Sequence, residues 1–395
     1  MKQTISEIQK QIPNEASCWV LVDYENKNPI MVSLLGDLML TRKIIMAIPK
    51  DRKPFLICHQ IDTVFLSQES ITSRFDLHVY KTWKEMLELE KELLKEDKTI
   101  LMDVSSFGLL PRVSLADYGS VQYLLSLGHQ VLSSADLQQY LYAAFTKEEE
   151  KSQIEACNTL LSIKDEAFKK IKEDILEKGY SDEYRIQSYI CNRLHEEGYI
   201  YDDPCIVAIN HNASDPHYGP SEKQSSLIHK GDIVLIDMWA KKDAPNSVYG
   251  DITWMGYVGE SVPENVEKRF SILRRAVDSG FEFLKKNLPN RDVKGYEVDD
   301  IVREVIDNEG YGEYFIHRTG HNIAKDVSPH GPGTNIDNYE SHDERNIIEN
   351  TSFSLEPGIY APDFGMRSET DVYIDKNRVP HMVGGRQEKV IPILK

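Results

Sequence analysis

The sequence predicts an α+β protein with two domains, residues 1–145 and residues 146–395. In the first, short aliphatic runs alternate with helical segments, as in a small α/β domain. In the second, the order helix, helix, strand, hairpin occurs twice between residues 146 and 375, which indicates a duplicated half-domain. A chain of 395 residues is long enough for both domains.

The elements of the first domain follow from hydrophobic periodicity. Short aliphatic runs predict strands at 18–23, 43–48, 54–58 and 99–103. Apolar residues at helical spacing, with charged residues between them, predict a helix over 83–95. This domain contains no catalytic motif, so the candidate chemistry lies in the second domain.

The helices of the second domain have recognisable ends. Thr146 and Glu149 match a capping box, which predicts a long helix that ends at Gly179. Ser181 is the expected cap of a second helix that ends near His195. A later pair of helices is predicted at 264–286 and 297–308, and the remaining predicted elements are strands at 205–210, 314–317, 352–360 and 366–374 and a loop at 210–218.

The stretch 231–254 carries two aspartates in predicted β structure. Residues 233–236 form an aliphatic run typical of a strand buried on both faces, and Asp237 follows directly. A polar, turn-forming connection at 241–247 leads to a second strand that contains Asp251. In an antiparallel hairpin both carboxylates would lie near the same end of neighbouring strands, a few ångströms apart. If buried, they need a shared proton, an arginine or a metal ion, whereas a solvated pair needs no partner.

The final predicted hairpin carries two glutamates in the corresponding place of its half. Glu356 precedes Pro357, which is expected to end the strand. Glu369 lies two residues after Arg367 and therefore on the same face of its strand. The two hairpins together thus offer four carboxylates.

Between the two hairpins, two histidines stand four residues apart. The spacing of His317 and His321 is that of the helical HExxH zinc motif. However, no glutamate follows His317, and Gly320 argues against a helix. We therefore expect His321 to lie on a turn that glycine permits.

Composition excludes several classes of partner. The formal net charge is −18, from 46 basic and 64 acidic residues without a basic cluster, which argues against nucleic acid or an anionic membrane as partner. The first residues lack the apolar core of a signal peptide, and no run reaches the ~20 apolar residues of a membrane span, which favours a cytoplasmic location. The cysteines are odd in number and widely spaced, and are expected to be reduced thiols: Cys18, Cys58, Cys157, Cys191 and Cys205.

Five acidic and histidine residues, taken in order with their neighbours, resemble the metal-ligand signature of the pita-bread metallopeptidases. That family contains methionine aminopeptidases, Xaa-Pro aminopeptidases, prolidases and creatinase. The matching segments are VLID at 234–237, DIT at 251–253, TGH at 319–321, LEPGIY at 355–360 and RSE at 367–369. The resemblance implies a curved antiparallel pita-bread sheet with outer helices, and a smaller N-terminal domain like that of creatinase.

The resemblance also implies a dinuclear metal site. Asp237 would chelate one ion, Asp251 and Glu369 would bridge both, and His321 and Glu356 would complete the other. Four carboxylates balance two divalent cations, and one imidazole among carboxylate oxygens favours Mn²⁺, with Co²⁺, Zn²⁺ or Fe²⁺ tolerated. Such a pair is expected to supply a bridging hydroxide that attacks a peptide carbonyl, with Glu356 as its proton shuttle.

Four further residues match the family pattern. His217 corresponds to a loop histidine that approaches the substrate, and His330 to one that contacts the scissile peptide. His317 corresponds to a less uniform third histidine. Arg367 is expected to orient an acidic ligand. For each histidine the alternative is an exposed loop residue without a role in the chemistry.

The N-terminal domain favours the Xaa-Pro branch of the family, because methionine aminopeptidases usually lack it. The implied protein is a homodimeric, cytoplasmic metallopeptidase that cleaves Xaa-Pro bonds in short peptides, as an aminopeptidase or a dipeptidase. A creatinase-like hydrolase of a non-peptide C–N bond is one alternative, although that reaction needs no metal and this chain keeps all five ligands. A non-catalytic binding module is the other, and such a module would be expected to have lost ligands.

Overall fold

The computed structural model describes residues 5–325 and 327–395, which form two compact units. One unit ends at Leu141 and the other begins at Tyr142, slightly before the boundary predicted at 145/146. Each unit has its own hydrophobic core. Within the described ranges no helix combines the length and the apolar character needed to cross a membrane. All five cysteines are free thiols, as predicted.

The first unit is built on a mixed sheet of six strands within its described residues. The strands are β1 (Cys18–Asp23), β2 (Ile44–Pro49), β3 (Phe55–His59), β4 (Asp76–Tyr80), β5 (Thr99–Met102) and β6 (Gln130–Ser133). The α-helices are α1 (Ile5–Gln11), α2 (Pro29–Leu35), α3 (Thr63–Leu66), α4 (Glu69–Thr72), α5 (Trp83–Leu94), α6 (Tyr118–Ser126) and α7 (Ala135–Tyr142). The order across the sheet is β4-β3-β2-β1-β5-β6, in which β1–β2 and β2–β3 are antiparallel and the other pairs are parallel.

Aliphatic runs predict the inner strands of this sheet well. The four predicted strands are confirmed to within one residue at each end, and α5 begins at Trp83 as expected. Strand β4 is not predicted by an aliphatic run, because it lies at the edge of the sheet and buries only Tyr80. An edge strand has less apolar surface to cover, so its sequence carries a weaker signal.

The second unit contains two helix-and-hairpin halves. The first half consists of α8 (Lys147–Lys178), β7 (Ser181–Asp182), α9 (Glu183–Glu196), β8 (Tyr199–Ile200), β9 (Ile206–Ile209), β10 (Leu227–Ile228), β11 (Ile233–Lys242) and β12 (Gly250–Tyr257). The second consists of α10 (Glu264–Asn287), α11 (Gly295–Asn308), β13 (Thr351–Leu355), β14 (Gly358–Tyr360), β15 (Gly365–Arg367) and β16 (Thr370–Ile374), followed by β17 (Pro380–Met382) and β18 (Ile391–Pro392).

The hairpins of the two halves belong to different sheets. Antiparallel β11 and β12 pair with each other, with β8 and β9 on the outer edge of β11 and β18 beside β12. In the second half, β13, β16 and β17 form one antiparallel sheet, and β14 and β15 form a separate two-stranded ribbon. Strands β7 and β10 form another such pair.

Strand β11 separates two hydrophobic cores, because successive side chains point to opposite faces of a sheet. Val234, Ile236 and Met238 pack with apolar residues of α8 and α9. Leu235 points the other way and packs with residues of α10, α11 and the second hairpin. This burial on both faces agrees with the unbroken aliphatic run that predicts the strand.

Helix α8 begins with the predicted capping box. The Thr146 hydroxyl accepts the Glu149 N–H (3.2 Å), and the Glu149 carboxylate accepts the Thr146 N–H (2.6 Å). The helix ends at Gly179, which adopts a left-handed conformation (φ 82°). That φ favours glycine, because other residues pay a steric cost there.

The prediction for the start of α9 is wrong by one residue. The cap is Asp182, whose carboxylate accepts the Arg185 N–H (2.9 Å). Ser181 instead donates its hydroxyl to Asp174 of α8 (3.0 Å). Both residue types can cap helices, so only the tertiary contact to Asp174 decides between them.

The predicted strand at 314–317 is also wrong. A 3₁₀ turn occupies Gly312–Tyr314, and the following residues form no strand. The guanidinium of Arg303 donates to the carbonyl oxygens of Phe315 (2.9 Å) and His317 (2.7 Å). A side chain thus satisfies backbone groups that a neighbouring strand would otherwise bond.

Candidate metal centre

The first hairpin presents its two aspartates on one face. Asp237 lies opposite Thr253, and Asp251 lies opposite Trp239. Because the pairing is continuous and side chains two residues apart share a face, both carboxylates point to the same side as diagonal neighbours. Both aspartates are buried. The alternative of a solvated pair at the hairpin surface is therefore wrong.

The second hairpin presents its glutamates where the strands are interrupted. Glu356 and Pro357 separate β13 from β14, so Pro357 ends the strand as predicted. Ser368 and Glu369 separate β15 from β16, which divides the single strand expected at 366–374. The Glu356 N–H donates to the carbonyl of Thr319 (2.7 Å) instead of a strand partner.

His321 lies on an irregular segment that is bonded to β13. Its N–H donates to the Ser354 hydroxyl (3.0 Å), and its carbonyl accepts the Ser354 N–H (2.9 Å). Glycine is needed at position 320 for a reason other than the expected turn. A Cβ on Gly320 would stand 1.8 Å from the carbonyl oxygen of Ser354, so no side chain fits there. The close approach of two backbone segments, not a positive φ, requires this glycine.

These elements bring four of the predicted ligands together. Donor atoms of Asp251, His321 and Glu369 lie within 4.8 Å of one another. The His321 Nε2 atom lies 3.5 Å from Asp251 Oδ2 and 3.5 Å from Glu356 Oε1. Its Nδ1 faces the carbonyl of Asn322 (3.2 Å), which can only accept a hydrogen bond. A proton on Nδ1 leaves the Nε2 lone pair directed at the carboxylates, the arrangement a metal-binding histidine needs.

Asp237 is connected to this cluster through Arg367. The guanidinium of Arg367 donates to the Asp237 carboxylate and also to the Thr253 hydroxyl (3.0 Å). That hydroxyl in turn donates to Glu369 Oε2 (2.7 Å). Arg367 therefore links an aspartate of the first hairpin to a glutamate of the second.

The electrostatics of the cluster favour the binding of cations. Burial raises the pKa of both Asp251 and Glu369 well above the usual range, and neighbouring carboxylates raise both further. Burial likewise raises the pKa of Asp237, although Arg367 opposes that shift. One buried arginine cannot compensate four clustered carboxylates. The donor set of carboxylates and one imidazole fits divalent metal ions, which would supply the missing positive charge.

His317 faces the site through a tyrosine. Its Nδ1 lies 2.6 Å from the carbonyl of Arg318 and must carry the proton of that bond, so its Nε2 accepts from the Tyr360 hydroxyl (2.7 Å). Arg367 donates to the same hydroxyl (2.9 Å). Burial lowers the pKa of His317. The structure thus places His317 beside Tyr360 and Arg367 in the neutral form.

The other two histidines occupy exposed positions. The ring of His330 lies beside that of His321, with centroids 4.0 Å apart and the ring planes tilted by 52°, and His330 is exposed. His217 lies on its predicted loop, where its N–H donates to Asp215 (3.0 Å) and its side chain is exposed. In the described part of the chain, the short distances that connect Asp251, His321, Glu356 and Glu369 do not include His217.

Several residues that shape the site were not singled out by the sequence. Thr253, Ser354 and Asp371 bond to the site residues: the Ser354 hydroxyl donates to Glu356 Oε1 (3.0 Å), and Asp371 Oδ2 accepts the Asp251 N–H (3.0 Å). Each lies two residues from a predicted ligand, the spacing at which side chains share a face in a regular strand, although only Thr253 and Asp251 lie in one continuous strand. This two-residue spacing is the signal that could have identified them.

The two hairpins meet at what we term the β12–β16 contact. It comprises the bond from the Asp251 N–H to the Asp371 carboxylate (3.0 Å) and the bond from the Glu369 N–H to the Thr253 carbonyl (3.4 Å). The backbones of two predicted ligands thus join one half of the unit to the other.

Comparisons with known proteins agree with this architecture. The chain is 30% identical over 240 residues to an Xaa-Pro dipeptidase of Pyrococcus furiosus, a match that covers 60% of this chain and 63% of the relative. It is 27% identical over 239 residues to an Xaa-Pro dipeptidase of Lactobacillus helveticus, covering 57% and 56%. The chain thus spans about 60% of the length of these curated relatives.

Solved structures are similar over nearly the whole chain. An X-Pro aminopeptidase of Thermotoga maritima superposes with a TM-score of 0.55 at 20% identity, covering 98% of this chain and 99% of the other. A prolidase of Pyrococcus furiosus gives 0.52 at 21% identity, covering 98% and 100%. This likeness confirms the predicted fold, a pita-bread unit with an N-terminal domain. The model of metallopeptidase family M24 matches residues 155–376, and because this match spans more than half of the chain, the chain belongs to that family.

Proposed function

We propose that this chain is a metal-dependent peptidase that hydrolyses Xaa-Pro bonds in short peptides. The observation that supports it most is the convergence of Asp251, His321 and Glu369, whose donor atoms lie within 4.8 Å of one another. The two curated relatives are named Xaa-Pro dipeptidases, which supports this bond as the target.

The five predicted ligands would hold two divalent ions: Asp237, Asp251, His321, Glu356 and Glu369. Their oxygen-rich donor set suits Mn²⁺ best, with Co²⁺, Zn²⁺ or Fe²⁺ as substitutes. When bound, such a pair lowers the pKa of a water molecule and polarises the carbonyl group that this water attacks.

Glu356 is suited to move the proton of the attacking water. Its side chain is 16% exposed, against 5% for Asp251, so it borders the space that a substrate would enter. A carboxylate in that position can take the proton from the water and pass it to the leaving proline nitrogen.

The remaining residues act on the substrate or on the ligands. Exposed His330, beside His321, would donate a hydrogen bond to the carbonyl oxygen as negative charge develops there. His217 would approach the substrate from its loop. Arg367 would hold Asp237 in place, and His317 would act through Tyr360, which bonds to Arg367.

Two measurements on the purified chain test this function. After reloading with manganese or cobalt, elemental analysis is expected to find two ions per chain. A panel of dipeptides and tripeptides is expected to be cleaved only where proline follows the first residue. Preference for tripeptides would indicate an aminopeptidase, and cleavage of dipeptides alone a dipeptidase. Fewer than one ion per chain, or no cleavage of any peptide, would contradict the proposal.

A further inference from the structure

A row of three side chains crosses the sheet of β8, β11 and β12, beside the candidate metal centre. Trp239 lies directly opposite Asp251 on β12. On its other side, β8 pairs with β11 so that Ile200 faces Lys241, and this register, continued by two residues, brings Asp202 beside Trp239. The indole N–H of Trp239 indeed donates to the Asp202 carboxylate (2.6 Å). The order across the sheet is therefore Asp202, Trp239, Asp251.

This row shares the face of the candidate metal centre. Trp239 follows Asp237 by two residues in a continuous strand, so both side chains point to the same side. The indole is half-buried and packs against a small apolar cluster that includes Tyr249 and Ile323. Ile323 in turn pairs with His330 through the backbone. One edge of the ring is thus anchored while part of it stays open beside the site.

Asp202 brings a negative charge that the site itself does not neutralise. Its side chain is exposed, and among the described residues no ion pair uses it. Its bonded partner, the indole N–H, is neutral. Two divalent cations would already be balanced by the four ligand carboxylates, so the charge of Asp202 remains available for a cationic group of a ligand.

The two ends of a short peptide carry opposite charges, which decides the orientation. A carboxylate beside the site repels the C-terminal carboxylate that follows proline in a dipeptide. It attracts positive charge on the residue before the scissile bond. Asp202 therefore belongs to the side that receives the first residue of the substrate.

Distance selects between the two positive groups that a first residue can offer. Asp202 and Asp251 are two strand spacings apart, about 10 Å at ~4.8 Å per strand. The α-amino nitrogen lies only about 1.5 Å from its Cα and stays near the scissile carbonyl. A lysine ammonium lies about 6 Å from Cα on its four-carbon stem, and an arginine guanidinium reaches similarly far. A basic side chain is long enough to reach Asp202 from a substrate bound beside Asp251, whereas the α-amino group is not.

We propose that Asp202 and Trp239 form a specificity subsite for a basic first residue, an inference that rests on the proposed peptidase function. The aliphatic stem of arginine or lysine lies along the indole, and its cation pairs with the Asp202 carboxylate. Indole faces also attract cations directly. Peptides of the form Arg-Pro and Lys-Pro are thus preferred over those with neutral first residues.

Calorimetry with two uncleavable ligands tests the subsite without relying on turnover. The ligands are ketomethylene analogues of Arg-Pro and citrulline-Pro, in which carbon replaces the scissile nitrogen. Citrulline has nearly the shape of arginine but carries no charge. The parent protein, loaded with manganese, is expected to bind the arginine analogue about 10-fold more tightly, and the ratio should shrink at high salt.

Substitutions then assign this selectivity to individual residues. In Asp202→Asn the two affinities are expected to agree within about twofold. The adjacent Asp203, which is also exposed, provides the control, because Asp203→Asn removes the same charge while leaving the row intact and should keep the ratio. Trp239→Ala is expected to weaken both ligands, since the stem loses its platform, whereas Trp239→Phe retains an aromatic face and most of the affinity.

Equal binding of both ligands to the parent, or equal loss in the Asp202 and Asp203 variants, would overturn the subsite. These outcomes are separate from the proposed function. A protein that cleaves Xaa-Pro peptides but binds both analogues equally lacks the subsite and keeps the function. A protein that selects the arginine analogue but cleaves no peptide keeps the subsite and lacks the function.

Discussion

The two halves of the second unit present their acidic residues in different ways. In the first half, Asp237 and Asp251 lie inside continuous, paired strands. In the second, Glu356 and Glu369 lie where the strands are interrupted. Strand pairing fixes the direction of the aspartates, whereas the backbone of each glutamate bonds to another segment. The first half thus positions its acids mainly by pairing two strands that are close in sequence, with one long-range bond at the Asp251 N–H, whereas the second half relies on long-range contacts.

The largest effects are expected when one acidic ligand from each half is replaced. Asp251→Asn and Glu369→Gln are each expected to weaken metal binding by more than about 100-fold, because even residues that only support ligands cost 10- to 100-fold when replaced. Turnover should fall to background. Elemental analysis after dialysis, and activity with Xaa-Pro dipeptides, provide the measurements.

Two controls show whether these losses arise at the metal site alone: the melting temperature of the metal-free variants and a substitution on the surface. In metal-free protein both substitutions remove a buried, repelled carboxylate, so the melting temperature is expected not to fall. Asp243→Asn, at an exposed position after β11, should retain metal and turnover. Normal metal content in either acid variant would contradict a shared site.

Glu356→Gln is expected to separate binding from chemistry. The amide keeps an oxygen for the ligand cluster and for the Ser354 hydroxyl but cannot accept a proton at the pH of the assay. We expect metal to be retained and turnover to fall about 10²- to 10⁴-fold, the range for a lost acid–base group. Steady-state kinetics with matched elemental analysis decide the outcome. Full turnover would remove Glu356 from the proton path.

His330→Ala and His217→Ala extend the comparison to residues outside the hairpins. Each is expected to reduce turnover about 10²- to 10⁴-fold if it stabilises developing charge on the substrate. His381→Ala, which changes an exposed residue of strand β17, is the matched control and should change turnover little. A change below threefold at His217 or His330 would identify that histidine as a bystander.

Arg367→Lys tests the link between the halves. Lysine keeps the charge near Asp237 but cannot also reach Thr253 and Tyr360, which the planar guanidinium does. Metal affinity or turnover is expected to fall about 10- to 100-fold. Arg275→Lys, in an exposed ion pair with Glu309, should leave both unchanged. Equal behaviour of the two variants would show that charge alone suffices at position 367.

The smallest expected effect concerns the helices that begin the two halves. Thr146→Ala removes a capping box and is expected to cost about 1 kcal/mol of unfolding free energy. The counterpart α10 starts after Pro263 without a side-chain cap, so Pro263→Ala should cost less. Urea unfolding of both variants measures the difference. A larger loss of unfolding free energy in Pro263→Ala than in Thr146→Ala would contradict this prediction.

The sequence predicts best the features that depend on neighbouring residues. The β11 run, the capping box at Thr146 and the stop at Pro357 are all local, and all are confirmed. The pairing of Arg303 with the Phe315 and His317 carbonyls is not local, so the strand expected there does not form.

Long-range contacts also hide features of the site itself. The need for glycine at position 320 arises from the backbone of Ser354, which lies far along the chain. The row of Asp202, Trp239 and Asp251 requires the register of three segments, which composition and periodicity do not provide. The homodimer, the cytoplasmic location and the choice of manganese stay predictions.

The β12–β16 contact has an evolutionary consequence. Asp251 and Glu369 contribute to it with their N–H groups, and every residue except proline supplies such a group. A descendant of this chain can therefore exchange both acids for other side chains while its halves stay joined. The bonds that join the two halves are therefore independent of the carboxylates that would hold a metal ion.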